Sequence, residues 1–165
     1  MTNFRAKIIR YENLSAWRAV LRETGKTLAV TNGCFDILHL GHVTYLEAAR
    51  NQADALLVGL NSDSSVRDLK GLGRPVTPEF ERALVLAALQ CVDAVCIFRA
   101  RSARNFLTVA KPDIWMKGGD YSPESLDFEE RRAVERAGGR ILILPIVPGS
   151  STTVILRKIT KLCRI

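Results

Sequence analysis

Short apolar runs alternate with amphipathic stretches along most of this chain. Leu14, Trp17, Val20 and Leu21 recur at helical spacing between Asn13 and Glu23, which predicts a helix with Asn13 as N-cap and Gly25 as stop. Thr27–Thr31 (TLAVT) then reads as a buried strand. The alternation continues with a helical pattern over Leu40–Ala53, a strand over Ala55–Leu60 (ALLVGL), and a helix over Glu79–Gln90 with Pro78 at its first helical position. Ala94–Phe98, Ile114–Met116 and Ile141–Leu144 are three more strands followed by helical patterns, the last over Thr152–Lys161. Nearly continuous apolar strands between amphipathic helices predict an α/β fold, a doubly wound parallel sheet of about five strands with helices on both faces. One domain spans residues 1–165, with residues 1–26 as an N-terminal helical extension. Such sheets bind ligands at the C-terminal ends of their strands, so residues just after strands carry the most information.

Composition narrows the class. At 47% hydrophobic and 25% charged residues the chain is neither disordered nor collagen-like. It has no run of about 18–20 apolar residues to span a membrane, and MTNFRAKIIRYENL lacks the apolar core of a secretory signal. A cytoplasmic location is therefore expected. The formal net charge of +7 favours anionic partners such as nucleotides, sugar phosphates or nucleic acid. The cations are dispersed, with only Arg99, Arg101 and Arg104 clustered, and aromatic residues are not interleaved among them as single-strand binding requires. Small phosphates are preferred on this ground, and no nucleic-acid or membrane partner is expected. Cys34, Cys91, Cys96 and Cys163 do not follow metal-ligand spacing, so neither a zinc site nor a disulfide framework is expected.

The first strand runs into Asn32-Gly33-Cys34-Phe35-Asp36-Ile37-Leu38-His39-Leu40-Gly41-His42, which holds both histidines of the protein at the start of a predicted helix. A helix N-terminus offers unpaired N–H groups and a positive dipole end to an anion. Gly41 lets a phosphate approach the backbone, and Gly33 lets the chain pass close to a nucleotide. Two imidazoles can donate hydrogen bonds to phosphate oxygens as charge develops on them.

Other candidates also lie after strands. Asn61 and Asp63 follow the second, where Asp63 either caps the next helix or meets a ligand. Lys70, Arg74 and the glycines between them form a basic flexible loop, either a lid over a polyphosphate or a solvated loop. Arg82 stands on an otherwise apolar helix and either reaches the site or snorkels. Lys117-Gly118-Gly119-Asp120-Tyr121 suits a small phosphorylated substrate, with a charged turn as the plainer reading. Ser151, Thr152 and Thr153 precede the last helix and form either a second anion cradle or an ordinary cap.

GCFDILHLGH resembles the HxGH signature of the nucleotidylyltransferase superfamily of cytidylyl- and adenylyltransferases. The motifs Gly59–Asp63, Ser65-Val66-Arg67, Leu69-Lys70-Gly71, Arg74-Pro75-Val76, Arg82 with VLAAL, Val92-Asp93, Pro112-Asp113, Lys117–Tyr121 and Ser151-Thr152-Thr153 extend the likeness from about Thr31 to Ile159. In this order they are similar to one branch, the bacterial D-glycero-β-D-manno-heptose 1-phosphate adenylyltransferases. The resemblance implies a Rossmann-like fold and transfer of the α-phosphate group of ATP to a sugar 1-phosphate, giving an ADP-sugar and pyrophosphate. It further implies a place in ADP-heptose and lipopolysaccharide biosynthesis, Mg²⁺ accompanying ATP without a side-chain metal cage, and a homodimer. His39, His42 and Lys70 are the expected catalytic residues. Asn32, Gly33, Cys34, Phe35, Gly41, Asn61, Asp63, Arg74, Ser151, Thr152 and Thr153 are expected at the nucleotide, and Asp36, Lys117, Gly118 and Asp120 at the acceptor. Two departures stand out: Phe98–Ala103 reads FRARSA in place of an acidic segment ending in Thr-Pro, and Ile146 replaces the arginine of glycerol-phosphate cytidylyltransferases. The second favours ATP over the alternative, a CTP-dependent cytidylyltransferase for a polyol or amino-alcohol phosphate.

Overall fold

A computed structural model describes residues 3–119, 122, 125–145, 149 and 151–163. Six strands are described: β1 (Ile8–Ile9), β2 (Leu28–Gly33), β3 (Ala55–Asn61), β4 (Ala94–Phe98), β5 (Ile114–Gly118) and β6 (Arg140–Leu144). The helices are α1 (Leu14–Glu23), α2 (Leu40–Arg50), α3 (Asp63–Lys70), α4 (Glu79–Ala88), α5 (Arg104–Ala110), α6 (Phe128–Arg136) and α7 (Thr152–Leu162). The strands form one sheet in the order β1-β4-β3-β2-β5-β6, with every pairing parallel. The chain builds outward from β2 through β3 to β4, then crosses to β5 and β6 on the other side. The topological switch point therefore lies between β2 and β5, where the strand ends leave a crevice.

Alternation along the strands sends successive side chains to two separate cores. Leu28, Val30, Leu57, Cys96 and Trp115 pack with Leu14 of α1, Phe106 and Leu107 of α5 and Val134 of α6. Ala29, Leu56, Val58, Val95 and Met116 pack with Tyr45 and Leu46 of α2 and Ala83 and Leu86 of α4. Central β3 is buried at every residue, which accounts for its unbroken apolar sequence. Two carboxylates anchor the N-terminal ends of the central strands β2 and β3. Asp113 accepts hydrogen bonds from the Leu28 N–H and Arg18, and Asp93 accepts from the Leu56 N–H while pairing with Arg50.

Several local expectations need correction. The segment before residue 26 is not wholly helical, since Ile8–Ile9 pairs with Val95 and Cys96 as the sixth strand. Two residues are too few to show a period. Ser62, not Asp63, caps α3: its hydroxyl accepts from the Ser65 N–H, and Asp63 is the first helical residue. Lys70 is the last residue of that helix rather than part of a loop. Pro78 occupies the N-cap position of α4, one residue before its first turn. Asn13 does stand at the N-cap position of α1, but its side chain makes no capping bond because a 3₁₀ turn, Tyr11–Asn13, runs directly into the helix.

Candidate active site

A cleft of about 470 Å³ opens at the switch point. Asn32, Cys34, Phe35 and Asp36 reach it from the end of β2, and His39, Gly41 and His42 from the start of α2. Lys70 and Arg74 line it from the end of α3 and the loop that follows, Lys117 and Gly118 from the end of β5, and Ser151, Thr152 and Thr153 from the start of α7. Fourteen of the expected site residues thus share one cavity although they come from five separate stretches of chain. Gly33, Asn61 and Asp63 do not line it. Asp120 lies outside the described residues, as does Ile146.

The helix starts explain why the cleft suits an anion. His39 is the N-cap residue of α2 without a side-chain capping bond, and the first turn contains no acidic residue. Helix geometry supplies no acceptor for the first N–H groups, among them that of Gly41. The imidazoles of His39 and His42 stack with ring centroids 3.8 Å apart, and Phe35 packs against His42 at 5.1 Å. Among the described residues neither buried Nδ1 has a partner at hydrogen-bonding geometry. Burial, helped by the neighbouring His39 and only partly opposed by the Ile37 backbone, pushes the His42 pKa down to about 4. Burial also lowers His39. Both rings are therefore neutral near pH 7, and their unsatisfied polarity is held ready for a ligand. At the start of α7, the Ser151 hydroxyl caps the helix through the Val154 N–H, and the Thr152 hydroxyl makes a long 3.5 Å bond to the Ile37 carbonyl. That bond draws the second helix start toward the first.

The residues around these rings are braced from within the protein. Phe35 adopts φ +43°, a left-handed conformation costing a non-glycine residue about 1–2 kcal/mol. It is the turn between the end of β2 and Asp36. Asp36, expected at the acceptor, lines the cleft, and both its oxygens accept from the chain: Oδ2 from Arg74, and Oδ1 from the Val76 and Thr77 N–H groups. Arg82 neither snorkels nor lines the cleft. Its guanidinium is buried, donating to the carbonyls of Thr77, Cys34 and Asn61 and to Asp63. Asp63 is thereby engaged with Arg82, and the Asn61 side chain donates to Ser65.

Three lining residues escaped the sequence reading: Thr31, Tyr45 and Val66. Tyr45 lies three positions beyond His42 on the same helical face, a spacing that could have marked it. Its hydroxyl hydrogen-bonds Thr31 at 2.7 Å, and its ring lies where a Cβ on Gly118 would sit, 2.9 Å away. Gly118 thus allows the histidine helix to approach the end of β5. Among the described residues no group of three or more His, Cys, Asp or Glu could hold a metal ion.

Residues 30–157 match the model of the Cytidylyltransferase-like family. The chain belongs to that family. Among curated proteins it is 48% identical over 154 residues to the bifunctional protein HldE of Trichlorobacter lovleyi, covering 93% of this chain and 31% of that protein. HldE of Geotalea uraniireducens is 49% identical over 154 residues with the same coverage. The chain therefore spans about a third of the length of the curated relatives it matches. Among solved structures, the lipopolysaccharide core biosynthesis protein of Thermoplasma volcanium superposes with a TM-score of 0.61 at 28% identity, over 74% of this chain and 98% of that one. Pantoate-beta-alanine ligase of Francisella tularensis, solved with a β,γ-ATP compound and β-alanine, shares the fold with a TM-score of 0.58 at 12% identity, over 96% and 79% of the two chains. The family match and the Rossmann-like sheet agree with the resemblance carried by the histidine motif. No helix among the described residues is long and apolar enough to cross a membrane.

Proposed function

We propose that this chain is a nucleotidylyltransferase that joins the α-phosphate of ATP to a sugar 1-phosphate, a heptose 1-phosphate above all, releasing pyrophosphate. The observation that carries this reading is the pair of stacked, neutral imidazoles at the start of α2, in the same cleft as Lys70, Arg74 and the hydroxyl-bearing start of α7. An oxygen of the acceptor phosphate attacks the α-phosphorus, and the bond to the oxygen bridging the α- and β-phosphates breaks. That acceptor oxygen is already anionic, so no general base is required. The work left to the protein is alignment and stabilisation of charge arriving on the pyrophosphate. His39 and His42 serve as hydrogen-bond donors to the phosphates, and Lys70 supplies a mobile positive charge. Ser151, Thr152 and Thr153 hold the triphosphate from the other helix, while Cys34, Phe35 and Gly41 line the nucleotide's side.

Magnesium, when bound with the nucleotide, neutralises phosphate charge. Among the described residues the cleft lining contains one carboxylate, Asp36, and its oxygens already accept from Arg74, Val76 and Thr77. The ion's ligands on this reading are phosphate oxygens and water, which suits a small hard cation. The family resemblance supports a homodimer, which sedimentation equilibrium tests, and a cytoplasmic location. The HldE relatives and the lipopolysaccharide core biosynthesis protein of Thermoplasma volcanium support a role in making an ADP-heptose for lipopolysaccharide.

The deciding experiment is pyrophosphate release from a panel of nucleoside triphosphates paired with sugar 1-phosphates and polyol phosphates. The reading expects turnover that requires both substrates, with kcat/KM higher for ATP than for CTP. Absence of turnover with every sugar 1-phosphate, or a preference for CTP with a polyol phosphate, overturns it.

A further inference from the structure

Trp115 lies at the centre of an arrangement that this mechanism leaves unexplained. It is fully buried under the ends of β2 and β5, where the register pairs Val30 with Trp115 and Thr31 with Met116. The next residues along, Asn32 and Lys117, lie one residue before the ends of the two strands and both line the cleft. The indole touches each of them. Its Nε1 donates to Asn32 Oδ1 at 2.9 Å, and the Lys117 ammonium lies 4.5 Å from the ring centroid.

The chemistry of the indole fixes what these two side chains offer. Its N–H is a donor only, so it takes the amide oxygen of Asn32 and leaves the NH₂ end free for the cleft. The electron-rich ring face holds the Lys117 ammonium from below. Glu130 of α6 holds it from the side at 3.5 Å, while its other oxygen accepts from the Ala103 N–H and the Ser102 hydroxyl. An ammonium has three N–H donors, so one taken by Glu130 leaves others for a ligand. We propose that Trp115 is a positioning residue that sets the Asn32 amide and the Lys117 ammonium as a paired donor for the phosphate of the acceptor. This rests on the nucleotidyl-transfer reading and moves Asn32 from the nucleotide's side to the acceptor's.

Charge explains why the pair serves the acceptor rather than the triphosphate. Burial lowers the Lys117 pKa, and Glu130 and Asp127 beside it only partly oppose this by favouring the charged form. The Lys117–Glu130 pair is close to neutral as a unit. The histidine side instead has Lys70 and two helix starts without acidic residues in their first turns. The more highly charged triphosphate is drawn there. A phosphate monoester, with less charge, is left to the compensated pair and is recognised by hydrogen-bond geometry.

Three variants test the assignment through separate KM values for ATP and for the sugar 1-phosphate. Asn32→Asp keeps an acceptor for the indole N–H but turns a carboxylate oxygen on the ligand. It should cut kcat/KM for the acceptor by about tenfold or more, with KM for ATP changed by less than about threefold. Trp115→Phe keeps a ring under Lys117 and frees the amide to flip, and should raise the acceptor KM by roughly three- to tenfold. Trp115→Leu removes both supports and should raise it further. A readout independent of turnover is titration of the Trp17→Phe chain with inorganic phosphate, read by Trp115 fluorescence. A saturable change is expected, and Asn32→Asp in that background should abolish it. If Asn32→Asp melts well below wild type, Trp115→Phe alone decides the question through its KM split. An unchanged acceptor KM in Trp115→Phe, an effect confined to ATP, or a phosphate response insensitive to Asn32→Asp overturns the proposal. Failure of wild type to turn over any substrate pair removes the nucleotidyl-transfer reading instead, and the fluorescence titration still judges the donor pair.

Discussion

Asp36, in the loop after β2, accepts a 2.5 Å hydrogen bond from Arg74, a residue 38 positions further along the chain. The same carboxylate takes the N–H groups of Val76 and Thr77, so one side chain fixes both a cation and the backbone of the loop that carries it. Arg74 is thereby held in the cleft lining before any ligand arrives. Both carboxylate oxygens of Asp36 are thus engaged with the loop that carries Arg74.

Asp36→Asn should loosen this loop with little effect on the core. One amide oxygen can replace only part of what two carboxylate oxygens accept, and the charge that holds Arg74 is gone. Trypsin cleavage after Lys70 should accelerate, and KM for ATP should rise more than kcat falls. Wild-type proteolysis together with an acceptor-only KM change would show Asp36 to be a direct acceptor ligand.

His42→Ala should lower kcat by about a hundredfold or more while the fold survives, as for loss of a charge-stabilising donor. The same variant has a signature in stability. Because the folded His42 pKa is depressed to about 4, the unfolded chain binds a proton that the folded chain refuses between that value and pH 6.5. Stability is therefore complete above pH 6.5 and is lost as pH falls toward 4. The loss is at most about 3 kcal/mol from this residue, less whatever solvent screening removes. Urea unfolding at stepped pH values should show a shallower acid-side decline in His42→Ala than in wild type.

Arg82→Met should be among the most damaging single changes. It strands the carbonyls of Cys34, Asn61 and Thr77 together with Asp63 around a guanidinium that had satisfied all four. Breaking one side of such a buried polar cluster costs about 3–5 kcal/mol. Arg82→Lys should recover only a minor part, because an ammonium cannot span that fork of acceptors. Chemical denaturation measures both.

Lys117→Met keeps the apolar stem over Trp115 and deletes the charge. Its kcat/KM for the sugar phosphate should fall by about 1.5–3 kcal/mol, the worth of one charge-assisted hydrogen bond. Isothermal titration with ATP–Mg²⁺ should give an affinity close to wild type. A large loss of ATP affinity with an unchanged acceptor KM would assign Lys117 to the nucleotide.

Sequence alone carried the architecture, because each buried strand between helices is a local pattern that tertiary contacts need only confirm. It carried the histidine loop too, since both imidazoles, Gly41 and the helix start are encoded within eleven consecutive residues. The termini of elements were less legible. Ser62 and Asp63 are both good caps, and only the folded backbone shows which hydroxyl or carboxylate meets the free N–H.

Long-range pairing was beyond any local pattern. That Asp36 pairs with Arg74 and with the Val76 and Thr77 N–H groups is not visible from its neighbours in sequence. Arg82 reads as reaching the site or snorkelling until the carbonyls of Thr77, Cys34 and Asn61 are seen to close around it. Trp115 reads only as a strand residue until Asn32 and Lys117 flank it at the strand ends. Hydrophobic period and turn chemistry are written in neighbouring residues and so survive in one dimension. Which polar group satisfies which depends on burial and direction across the sheet, and those exist only once the strands have paired.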